Sequence, residues 1–136
     1  MDIYESEDEY VAQLEYILSR FKSPKNKGNI ENPDICYEDG NPSCGDIIKM
    51  YLKIVDGKIE DVKFDGKGCA ISQVSADILS DMIKGKTLDE AKFLEKDELL
   101  RELGIQLSAV RLKCALLSLK VLKMGVWGIK VEIDGE

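Results

Sequence analysis

The run from Asp46 to Asp65 constrains the fold more than any other stretch. Ile48, Met50, Leu52 and Ile54 alternate with Lys49, Tyr51 and Lys53, the period-two pattern of a strand with one buried face. Asp56-Gly57 supplies a tight turn, because both residues accept positive φ, and Ile59 to Asp65 returns with Val62 and Phe64 set against Asp61, Lys63 and Asp65. The chain therefore contains a β-hairpin in an antiparallel sheet. Ile30 to Tyr37 reads as a further short strand at a sheet edge, where Pro33 is tolerated.

Helices flank this sheet. From Asp8 to Phe21, Val11, Leu14, Ile17, Leu18 and Phe21 recur at amphipathic spacing, and Ser23-Pro24 stops the segment. Gly66 and Gly68 break the returning strand, and Ile71, Val74, Ile78, Leu79 and Met82 then take up the helical period. Thr87-Leu-Asp-Glu90 has the form of a capping box opening a short helix, and another around Asp97 to Leu103 ends at Gly104. The last strong helix, from about Ser108 to Met124, is apolar on most sides, with Lys113, Lys120 and Lys123 as its polar stripe. Ile129, Val131 and Ile133 alternate in the segment Trp127 to Glu136, which reads equally as a strand or a loose end. The order predicts an α+β fold: a small antiparallel sheet of about three strands with several helices packed on one face.

The 136 residues fit a single domain, 1–136, and at 44% hydrophobic they suffice to bury a core without disulfides. A net charge of −7 would be repelled by nucleic acid and by an anionic membrane surface, so neither is expected as a partner. The sequence shows no leader-like segment and no apolar run long enough to span a membrane, which points to the cytoplasm. Four cysteines, at 36, 44, 69 and 114, are then expected as thiols or metal thiolates. Histidine is absent, so a bound metal must be held by sulfur and oxygen.

Asn41-Pro-Ser-Cys-Gly-Asp46 sets Cys44 and Asp46 two residues apart across a glycine, a soft ligand beside a hard one. Cys69 falls at a strand-to-helix junction. Cys114 falls in the first turns of a helix, beside the lysine stripe, where the helix dipole favours a thiolate. One such cysteine is most simply a packed side chain, and Cys36 is read that way, as a half-buried strand residue. Three at glycine-flanked or helix-start positions, together with Asp46, point to a four-ligand metal site of Cys44, Asp46, Cys69 and Cys114. No Cys-x-x-Cys pair occurs, which disfavours a closed zinc ribbon or finger. Thiolates suit iron-sulfur clusters and zinc alike, whereas a carboxylate holds a cluster weakly, and a weakly held cluster can be passed on.

Asn41 to Asp46, Gly66-Lys-Gly-Cys-Ala-Ile-Ser72 and Lys113-Cys-Ala115 resemble the three ligand motifs of the U-type iron-sulfur cluster scaffold family (IscU, SufU and the N-terminal domain of NifU). Phe21-Lys-Ser-Pro-Lys-Asn-Lys-Gly28 resembles the Tyr-x-x-Pro-Arg-Asn-x-Gly stretch after that family's first helix, so the likeness extends from Val11 to about Met124. The resemblance implies an IscU-like α+β domain that receives iron and sulfur, builds a [2Fe-2S] cluster on Cys44, Asp46, Cys69 and Cys114, and hands it to recipient apo iron-sulfur proteins. It implies a cysteine desulfurase as partner, with Cys114 as the sulfur acceptor. Zinc is the alternative occupant, in a SufU-like sulfur acceptor. Such a scaffold is not an enzyme in the turnover sense.

Three departures qualify the likeness. Lys113 stands where the IscU branch has histidine, and it either pairs with Asp46 as a modulating residue or is solvated. Leu107-Ser-Ala-Val-Arg111 replaces the Leu-Pro-Pro-Val-Lys chaperone-binding segment, which argues against a dedicated Hsp70 chaperone. The SufU insertion has no counterpart between Leu94 and Ser108. Whether a homodimer shares one cluster is left open.

Overall fold

The computed structural model describes residues 7–41 and 45–135, with side chains up to residue 128. Helix α1 (Glu7–Lys22) is followed by strands β1 (Ile35–Asn41), β2 (Asp46–Val55) and β3 (Lys58–Lys67), and then by helices α2 (Ala70–Ile83), α3 (Leu88–Lys92), α4 (Lys96–Leu103) and α5 (Ala109–Gly135). The sheet is antiparallel in the order β1-β2-β3, as the hairpin pattern predicts. Asp56 and Gly57 both have positive φ at the β2–β3 turn. Along β2 the side chains of Asp46, Ile48, Met50 and Leu52 are buried in strict alternation, and α2 and α5 cover that face. Phe64 and Val62 of β3, Leu79 and Ile83 of α2 and Leu122 of α5 fill the core between them.

Four local differences from the sequence reading have physical causes. Strand β1 starts at Ile35, beyond Pro33, and its register carries it to Asn41 opposite Asp46. The stretch Asn41 to Asp46 is thus the connection of the first hairpin. Gly66 stays within β3, where a Cβ would fall onto Ile47 O, and Gly68 (φ +129°) is the residue that turns the chain toward α2.

Helix α1 is turned over relative to its apolar stripe. Ile17 is buried, but Val11 and Leu18 are about half exposed (50% and 53%) and Phe21 is also exposed, while Arg20 points inward. The guanidinium of Arg20 reaches Asp77 of α2 through Nε (2.8 Å) and Nη2 (2.5 Å), and Asp81 at 2.9 Å. Asp77 also accepts from the backbone N–H of Lys25 and of Asn26. A buried carboxylate needs several such donors, and supplying them outweighed burying Val11, Leu14, Leu18 and Phe21.

The fourth difference is at the end of the chain, where α5 continues without a break through Trp127 to Gly135, about 40 Å in all at 1.5 Å per residue. Gly125 and Gly128 are packing positions on that helix. A Cβ at Gly125 would stand 2.9 Å from Ile35 Cγ2, and one at Gly128 would overlap the Tyr37 hydroxyl.

Candidate metal centre

Three elements begin at one end of the sheet, and each brings one candidate ligand. Asp46 is the first residue of β2 and points to the buried side. Cys69 is the N-cap of α2. Cys114 lies in the second turn of α5. One carboxylate oxygen and the two sulfurs all lie within 4.8 Å of one another. Cys44 falls outside the described residues, in the connection that begins at Asn41 of β1 and closes with the bond from Gly45 N to Asn41 O at 2.8 Å.

Asp46 is the hub of this cluster and is almost wholly buried. The Cys69 backbone N–H donates to its Oδ1 at 2.9 Å, and the Cys69 thiol donates to Oδ2 at 3.2 Å. Burial pushes the Asp46 carboxyl up, but hydrogen bonds from the Cys69 N–H, the Cys114 and Cys69 thiols and the Ser72 hydroxyl outweigh it and hold it below the usual carboxylate range. The carboxylate is therefore charged at neutral pH, in contact with two thiols whose protons it already attracts. Asp46, Cys69 and Cys114 could hold a divalent metal, to which they would offer a carboxylate oxygen beside two sulfurs, a donor set that suits zinc or iron.

Gly68 makes this packing possible. A Cβ there would fall onto Asp46 Oδ1 and stand 2.6 Å from its Cγ, on a backbone with φ of +129°. Sequence reasoning assigned Gly68 to breaking the strand. Its second task, leaving room for a side chain 22 positions earlier, shows only in three dimensions.

Cys114 is fully buried rather than beside the polar stripe, because α5 turns that position toward α2 and the sheet. Cys69 is partly exposed, so of these two thiols it is the one solvent reaches. Lys113 is exposed, and among the described residues it makes no ion pair with Asp46 or any other carboxylate. It lines a cavity of about 300 Å³ with Gly40, Asn41, Leu116, Leu117 and Lys120. Cys36 is exposed on β1, opposite Tyr51, and is not part of the cluster. The half-buried packing expected for it does not occur, since β1 turns that residue away from the helices.

The Phe21 to Gly28 stretch does not reach the cluster. Asn26 is buried, and its Nδ2 reaches Asp77 Oδ1 at 3.1 Å and Asp81 Oδ1 at 3.0 Å. Its carbonyl accepts from Phe64 N, while Gly28 N donates to Phe64 O, so the stretch covers the open edge of β3. Asp77 and Ser72 carry no sequence signal, being single polar residues in a helical pattern.

Residues 12–132 match the family model described as the NifU-like N terminal domain. The chain belongs to that family. This NifU-like domain is 34% identical over 110 residues to an iron-sulfur cluster assembly scaffold protein IscU of Archaeoglobus fulgidus, covering 81% of this chain and 71% of the relative. It is 36% identical over 129 residues to the zinc-dependent sulfurtransferase SufU of Bacillus subtilis, covering 81% of this chain and 86% of the relative. A crystal structure described as that of an iron-sulfur cluster assembly scaffold protein for the SUF system, from Fervidobacterium islandicum, superposes with a TM-score of 0.69 at 32% identity, covering 82% of this chain and 94% of that one. Both sequence alignments take up the same share of this NifU-like domain, yet the one with SufU is 19 positions longer (129 against 110). SufU therefore carries residues that have no counterpart here. None of the described helices is long and apolar enough to cross a membrane.

Proposed function

We propose that this NifU-like domain, acting as one unit over residues 1–136, is a cytoplasmic iron-sulfur cluster assembly scaffold. It receives iron, persulfide sulfur from a cysteine desulfurase and the electrons from an external reductant that turn that sulfur into sulfide, and assembles a [2Fe-2S] cluster as cargo on Cys44, Asp46, Cys69 and Cys114. It then passes the cluster to recipient apo iron-sulfur proteins. The observation that carries this reading is the mutual approach within 4.8 Å of Asp46, Cys69 and Cys114 donors, at the shared start of β2, α2 and α5. The shorter alignment with the IscU relative supports it against the SufU alternative.

The three cysteines supply thiolates, which bind iron already bridged by sulfide, and Asp46 supplies the hard, exchangeable ligand. Sulfur arriving from outside meets Cys69 before Cys114. A persulfide on Cys114 requires the packing around Asp46 to open first. Lys113 lines the cavity next to Gly40 and Asn41 and leaves the Asp46 charge unneutralised in the metal-free state.

A second reading is a zinc-bound sulfur acceptor, favoured by the 36% identity to a zinc-dependent sulfurtransferase. Anaerobic reconstitution with iron and sulfide separates the two. The scaffold reading expects a coloured protein with about two irons and two sulfides per site, whose absorbance transfers to an apo-ferredoxin. A colourless product that retains one tight zinc would overturn it.

A further inference from the structure

Helix α1 carries an apolar stripe that the core does not use. Val11, Leu14, Leu18 and Phe21 are each more than a third exposed. Their spacing of three and four residues is the a and d pattern of a two-helix seam, narrower than the face that docks a helix onto a core. The helix cannot roll to bury them, because Arg20 is held from the opposite direction by Asp77 and Asp81. Large apolar side chains lined up in this way mark an interaction surface.

The charges at the two ends of α1 indicate what fits that surface. Its first turn carries Glu7, Asp8 and Glu9, its last turn carries Lys22, and Lys25 stands just beyond, all of them exposed. A second α1 laid parallel to the first would set acid against acid and base against base. Laid antiparallel, it sets the acidic end of each copy against the basic end of the other. The seam then closes in register, with Val11 opposite the partner's Phe21 and Leu14 opposite the partner's Leu18. Asp8, Glu15 and Lys22 recur every seven residues along one flank of the seam. Each Asp8 therefore faces the partner's Lys22, and the two Glu15 side chains meet at the two-fold axis as the one unfavourable pair.

We propose that the stripe docks a second copy of this chain, α1 against α1 in antiparallel sense, as a two-fold dimer. One helix pair buries less than the roughly 1,200 Å² of a standard interface, so the dimer is weak and dilute protein keeps the stripe bare. The contact is separate from the metal centre. Asp77, on which α1 is anchored, lies eight residues along α2 from Cys69, about 12 Å at 1.5 Å per residue.

The test is sedimentation velocity of the full chain from micromolar to millimolar concentration. It is run at about 0.15 M salt, which screens the repulsion between two chains of net charge −7. The wild-type chain is expected to pass from monomer to dimer and no further, since a two-fold contact closes on itself. Leu18→Ser is expected to raise the dissociation constant more than about a hundredfold, because each dimer loses two leucines from the seam. Lys22→Glu, which sets like charges at both ends, is expected to raise it about tenfold, and adding Asp8→Lys to that variant to restore it. Glu15→Gln is expected to tighten the dimer by removing the like-charge pair at the axis.

A monomer at every concentration would overturn the proposal and leave the stripe to a protein of different sequence. A dimer that Leu18→Ser does not weaken would overturn it by removing α1 from the contact. Should Leu18→Ser fail to fold, the charge variants decide, and a dimer that the Asp8→Lys, Lys22→Glu exchange fails to restore counts against the antiparallel pairing.

Discussion

Gly68 and Asp46 show how closely one residue's role depends on another's packing. Replacing Gly68 with Ala places a methyl on the Asp46 carboxylate and forces an L side chain into φ of +129°. Such backbone strain costs about 1–3 kcal/mol on its own. The expected outcome is a lower urea midpoint together with loss of tight zinc binding. Wild-type values for both would show that Asp46 does not need the space Gly68 leaves. Asp46, Cys69 and Cys114 were legible in the sequence because each stands at a glycine or a helix start, where three elements can meet. The burial of Ser72 and Gln73 was not, since a serine or glutamine inside a helical pattern looks the same whether it faces solvent or the core. For Lys113 the sequence left pairing with Asp46 and solvation open; adjacent helix positions point about 100° apart, so with Cys114 buried Lys113 stands exposed.

Helix α1 was recognised as a helix from its period, but its facing could not be read from the same signal. Periodicity reports that one side differs from the other, not which side meets the core, and here the deciding force is the buried Asp77 carboxylate, which needs Arg20. A paired substitution checks this orientation. Ile17→Ala should cost about 2–5 kcal/mol in unfolding free energy, as truncation of a buried residue does. Leu18→Ser, on the exposed side, should stay within about 0.5 kcal/mol of the parent. A large loss from Leu18→Ser in urea unfolding would mean that the stripe is covered. The C-terminal extension of α5 was hidden for a different reason. Glycine is unfavourable inside a helix, as at Gly125 and Gly128, and the apolar alternation from Trp127 to Ile133 mimics a strand. Both glycines are accepted because β1 presents Ile35 and Tyr37 to that part of the helix, a contact between positions about ninety residues apart.

Across the whole molecule, the α+β class and the three-stranded sheet followed directly from the hairpin between Asp46 and Asp65, whose alternation has few other physical readings. The position of the site followed less directly. It depends on β1 extending to Asn41, which makes the Asn41 to Asp46 stretch a hairpin connection at the end of the sheet where α2 and α5 also start. Three of the candidate metal ligands stand at that one end, with Asp46 and Cys114 buried and Cys69 partly exposed. The central claim is that Cys44, Asp46, Cys69 and Cys114 form one metal-binding site. X-ray absorption fine structure of the zinc-loaded protein tests it most directly, because sulfur and oxygen neighbours scatter differently. The account predicts three sulfurs at about 2.3 Å and one oxygen at about 2.0–2.2 Å. A shell of four sulfurs, or one dominated by oxygen, would contradict it.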